Sequence, residues 1–156
     1  MTSTTVDIAP VTAWLITLLN TATGNLVGDG EAPEGADLDD GYIVVHSLPG
    51  GGPTFGAPLV SPDDSVTLVY QIDSVGLRPD QVRLISDLVR TTILGRDTSG
   101  AFTHSAAIPG LDLLNRCPDS DGPGAQLDVV GEPPNRVWTA AERFYLPTQS
   151  TRGDTP

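Results

Sequence analysis

The sequence predicts an α+β fold, a mostly antiparallel sheet with two amphipathic helices packed on one face. Three observations predict it. Two stretches repeat apolar residues at helical spacing, two more carry β-branched or alternating runs, and the order is helix, strand, strand, helix, then strands. Helices and a sheet that each bury one side form a layered pair of this kind. With 156 residues the chain fits one domain, residues 1–147, with a flexible tail over 148–156.

Taken in order, Val11, Trp14, Leu15, Leu18, Leu19 and Ala22 follow the i, i+3, i+4, i+7 rhythm of a helix with one buried face. Pro10 suits its first turn and Gly24 its stop. Residues 25–41 read as a short extended piece and then a loop. Tyr42–Leu48 is a β-branched run ending at Pro49, hence a strand. Residues 49–64 hold three consecutive glycines and four prolines and form a long loop. Ser65–Ser74 alternates, with Val66, Leu68, Tyr70 and Ile72 on one side, and reads as a central strand. Pro79 opens a second helix whose apolar face is Val82, Ile85, Leu88, Val89 and Ile93 and which Gly95 ends. Arg83, Asp87 and Arg90 fall on its outer side at pairing distance. Residues 111–115, 125–130 and 136–146 read as further strands. The second sheet face, carrying Ile43, Val45 and Val69, wants partial cover.

Charge narrows the function. All eight basic residues are arginines, set against 20 acidic ones, for a formal net charge of −12. Nucleic-acid phosphate and anionic lipid are held by cations that release counterions, so specific binding to either is disfavoured. The longest mostly apolar run, Val11–Leu19, is too short to cross a membrane. One cysteine, Cys117, allows no internal disulfide.

Chemical motifs are weak. Gly50-Gly51-Gly52 lacks the lysine of a phosphate loop, and no Gly-x-Ser-x-Gly elbow occurs. Two distant histidines, His46 in a strand and His104 in a loop, with Cys117 do not make a zinc set. Asp37, Asp39 and Asp40, or Asp119 and Asp121, resemble fragments of a calcium loop without its closing ligands, and Asx-turns account for both. The sequence therefore implies no enzyme, no cofactor and no metal.

Several segments together resemble the tail terminator proteins of long-tailed, siphovirus-type bacteriophages, in particular those of actinobacteria. They are the first helix with Trp14, Val27-Gly-Asp-Gly-Glu-Ala-Pro33, Tyr42-Ile-Val-Val45 leading into Leu48-Pro-Gly-Gly51, and Tyr70-Gln71 with Ser74-Val75-Gly76. Gln81, Asp87-Leu-Val-Arg90, Gly95-Arg96 and Glu142-Arg-Phe144 continue the pattern. The absence of lysine agrees with a high-GC coding sequence.

The resemblance implies a structural subunit of the virion, assembled in the host cytoplasm. It would close into a homo-hexameric ring on the head-proximal end of the tail tube. Its partners would be further copies of itself, the major tail tube protein and a head-completion, stopper or neck protein. Genome DNA would pass through without specific binding. A heterologous contact that closes by rotation gives such a ring. Six copies carry roughly −72 before screening, which would keep DNA from adhering to the channel wall. For the acidic rim or channel loop the candidates are Asp29, Glu31, Glu34, Asp37, Asp39 and Asp40; a merely solvated loop is the plainer account. Candidate contacts to a neighbouring subunit or the tube are Pro53 and Phe55 in the long loop, with Arg78, Arg83 and Arg90, since arginine and aromatics dominate such anchors. Two alternatives stand beside this reading, another neck or head–tail connector adaptor, and a small carboxylate-dependent hydrolase.

Overall fold

The computed structural model describes residues 8–48, 65–113, 115–119 and 125–150. The elements run α1 (Ile8–Thr23), β1 (Leu26–Asp29), β2 (Tyr42–Leu48), β3 (Ser65–Gly76), α2 (Pro79–Leu94), β4 (Leu111–Leu113), β5 (Cys117–Pro118), β6 (Gln126–Val130) and β7 (Val137–Ser150). They make an α+β fold whose seven-stranded sheet has the order β1-β2-β3-β7-β4, with β5 and β6 also on β7. The pairing is antiparallel throughout except between β1 and β2, which are parallel.

Both helices end and begin as their punctuation dictates. Gly24 takes φ +75° after α1 and its N–H donates to the Asn20 carbonyl. Pro79 occupies the first turn of α2, where no N–H is missed, behind an extended Arg78.

The register fixes the faces. Val45 stands opposite Ile72, and Ile72 opposite Glu142; Tyr70 stands opposite Phe144, and Leu68 opposite Leu146. These side chains share one face of the pleat and are buried; all but Glu142 form one apolar cluster with Val11, Leu15 and Leu19 of α1 and Ile85, Val89 and Ile93 of α2. Ile43 and Val45 thus belong to the core, not to the second face; that face carries Val44 and Val75 beside the expected Val69. The Thr12 hydroxyl of α1 is 2.8 Å from the Tyr70 hydroxyl, a polar contact inside an aliphatic core.

Two expectations need correction. The last strand does not stop at Leu146. It continues to Ser150, pairing with both β3 and β4, and Thr148 is completely buried; the rest of the expected tail, 151–156, lies outside the described residues. The strand foreseen from Leu111 ends at Leu113, and a separate two-residue strand, Cys117–Pro118, follows.

Candidate functional site

Four residues of α2 spaced three, four and seven apart, Arg83, Ser86, Asp87 and Arg90, face one side of the helix. Across from them stand Ala125 and Leu127 at the start of β6 and Glu142 of β7. Together they line an open cleft of about 520 Å³. Glu142 lies on the core side of β7 between Ala140 and Phe144, so the strand's alternation forces a carboxylate inward. Arg90 reaches across and donates to its Oε1. Burial raises the Glu142 pKa above the usual carboxylate range; the Arg90 charge and hydrogen bond oppose that, and the Asp87 charge adds to it.

The five candidate contact residues therefore separate. Arg90 is half-buried and held by Glu142 of its own chain, not paired along the helix with Asp87. Arg83 is exposed on the rim of the cleft. Arg78 lies ahead of α2, exposed, 3.8 Å from Asp80. Pro53 and Phe55 lie outside the described residues.

The acidic candidates are all exposed. Asp29 ends β1; Glu31, Glu34, Asp37, Asp39 and Asp40 follow in the loop to β2. Gly28 must be glycine, since a Cβ there would lie 2.0 Å from the Glu31 carbonyl oxygen. The Gly30 N–H donates to the Val45 carbonyl and turns the chain off the sheet. Asp37 closes an Asx-turn by accepting from the Asp39 N–H at 2.9 Å. Gln81 of α2 then clamps the loop: its Nε2 donates to the Asp39 carbonyl at 2.7 Å, while its Oε1 accepts from the Leu77 N–H. The Gly-Asp-Gly segment and Gln81 are thus explained by backbone geometry.

Two further polar groupings were not foreseen. On the second sheet face, His46 contacts Asp73 at 3.1 Å, Gln71 donates to Asp73, and Arg143 donates to Gln71, a ladder across β2, β3 and β7. Beside the C-terminal end of α2, Arg116 is only 5% exposed. It donates to the carbonyls of Ile93 and His104, while its Nε has no acceptor among the described residues. Its guanidinium lies 4.4 Å from the Phe102 ring centre and 5.0 Å from that of Trp14; Arg96 lies 4.1 Å from Phe102. Burial, and then the Arg96 charge, lower the Arg116 pKa to about 10. No periodicity marks Arg116 in the sequence. Glu142 did carry a signal, its place in step with Phe144 and Leu146.

Among the described residues no three metal-ligating side chains come together, and no helix is long and apolar enough to cross a membrane. No family model matches the chain, and no curated protein matches it in sequence.

Proposed function

We propose that the chain is a structural subunit of a phage tail, a terminator that forms a ring on the tail tube, stops its growth and presents the surface to which the head is joined. The observation that carries the reading is an exposed apolar side chain at each edge of one sheet. Leu26 on β1 is 44% exposed; Val129 and Val130 on β6, beyond β7, are 39% and 68% exposed. A subunit with two different contact edges would join its neighbours head to tail, and such a contact gives a ring where the rotation between neighbours closes. The resemblance of Tyr42–Val45, Gln81, Asp87–Arg90 and Glu142–Phe144 to tail terminators supplies the partner, the tube end.

The hydrolase reading retains one observation, the raised pKa of Glu142 beside Asp87 in an open cleft. Against it, Arg90 occupies the Glu142 carboxylate.

The deciding experiment is negative-stain microscopy of lysates from the parent phage lacking this gene. Headless tubes of irregular or runaway length are expected. Tails of normal length left unjoined to filled heads would assign the chain to the neck as an adaptor, and normal particles would refute the reading.

A further inference from the structure

At the β1 edge, Ile8, Ala9, Ala13 and Ile16 of α1 form one side of a groove of about 580 Å³, with Asp29 and Ser47 on the other. The lining is largely apolar, and Asp29 is its acid. Asp29 is exposed and has no cationic partner among the described residues. Its charge reaches the interior, where it adds to the effect of burial in raising the Tyr70 pKa.

Beyond β7, on the opposite edge, lies the converse arrangement. Arg96 is exposed and stacked on Phe102, and Arg116 stacks on the same ring. Neither arginine has a carboxylate within 4.0 Å among the described residues. In a chain of net charge −12, two like charges share one phenyl ring without an anion. A guanidinium backed by an aromatic is suited to an apolar groove with a single carboxylate, because the ring and the stem bury while the charge is paired.

The two features are offset along the strand direction. Asp29 is in the row of Val45, and Cys117, next to Arg116, is in the row that passes through Val69 to Leu48. Three residues separate these rows, about 10 Å. Both features are on the helix side of the sheet, since Asp29 shares the face of Val45 and Arg116 contacts Trp14 and Ile93. They are four strand spacings apart along the sheet, about 19 Å, so the groove and the arginine of one copy do not meet.

We infer that Arg96, stacked on Phe102, enters the groove of a second copy and pairs with its Asp29. The inference rests on the reading that the chain assembles with copies of itself. It names the head-to-tail contact by which that assembly closes.

Two experiments test it in the gene-deleted parent phage, with variants supplied in trans and their folding checked by circular dichroism. Arg96→Glu and Asp29→Arg should each reduce completed particles at least tenfold, and the combined Asp29→Arg/Arg96→Glu should restore them to within a few-fold of wild type. No loss in the single variants, or no recovery in the double, overturns the contact. Separately, Thr17→Cys with Thr98→Cys in a Cys117→Ser background should give a ladder of disulfide-linked oligomers on oxidation, in lysate and with the purified chain. Absence of that ladder from particles whose tail length depends on the protein refutes the contact and leaves the capping reading standing. A ladder from a chain whose deletion leaves tails unaltered does the reverse.

Discussion

Arg90 and Glu142 allow a prediction whose size follows from their burial. Arg90→Met keeps the aliphatic stem over the cleft and removes the charge, leaving a carboxylate that is 7% exposed without its cation. Breaking a buried pair from one side costs about 3–5 kcal/mol. The Arg90 side chain is 42% exposed, so solvent screens part of the attraction, and about 2 kcal/mol is expected at pH 7. For a chain of this length that corresponds to a fall in Tm of about 4–8 °C.

The pH dependence identifies the cause. The Glu142 pKa is already raised, by burial first, and Arg90 is what restrains it. A carboxylate with a raised folded pKa favours folding below its unfolded value, and that contribution is lost as pH rises through the folded value. In Arg90→Met the folded value rises further. The deficit should therefore be largest at pH 7 and shrink as the pH falls through the folded pKa, where Glu142 becomes neutral. Arg90→Met/Glu142→Leu should recover most of the loss and abolish the pH-dependent difference. The assay is thermal unfolding of wild type and both variants between pH 4.5 and 7.5, read as differences at each pH. A deficit that does not change with pH, or a double variant as unstable as the single, would refute the reasoning.

Two further predictions concern the supports of the site. Tyr70→Phe deletes the hydroxyl paired with Thr12, whose Oγ1 keeps its bond to the Ile8 carbonyl. The loss should be about 1 kcal/mol in urea unfolding with an unchanged m-value. Gly41 has φ +75°, and a Cβ there would lie 2.6 Å from Ile85 Cδ1. Gly41→Ala should cost about 1–3 kcal/mol and speed proteolysis within residues 30–41, whereas Gly35→Ala, with open space around it, should cost less.

Legibility followed periodicity. Helices α1 and α2 and strands β2 and β3 were readable because their apolar residues repeat at 3.6 or 2 over most of a dozen residues or beside firm turn signals. Val44 and Val45 show the limit of that signal. In a run as uniformly apolar as Ile43-Val44-Val45, either parity fits, and only the pairing with Ile72 decides which side is buried. The short extended piece ahead of the acidic loop is β1, but its parallel pairing with β2 was not readable, because four residues carry no period. The two-residue β5 exists only because β7 offers it a backbone. Arg83 and Arg90 were both singled out, but the sequence cannot show that a strand more than fifty residues later brings Glu142 to one and not the other. Arg116 was invisible because its partners are carbonyls and ring faces, which leave no residue pattern.

The position of β7 has a consequence for the timing of synthesis. It is the inner strand between β3 and the short strands β4, β5 and β6, yet it follows all of them in the chain. Each β3 residue meets its β7 partner roughly 60 to 85 positions later. At translation rates of about 5–20 residues per second, β3 waits on the order of 3–17 s at the ribosome with that edge bare. During this interval Val66, Leu68 and Ile72 form an open template for any other nascent copy. Where many chains are made at once, the danger lies in premature pairing between polysome neighbours, and chaperone demand should peak before β7 emerges.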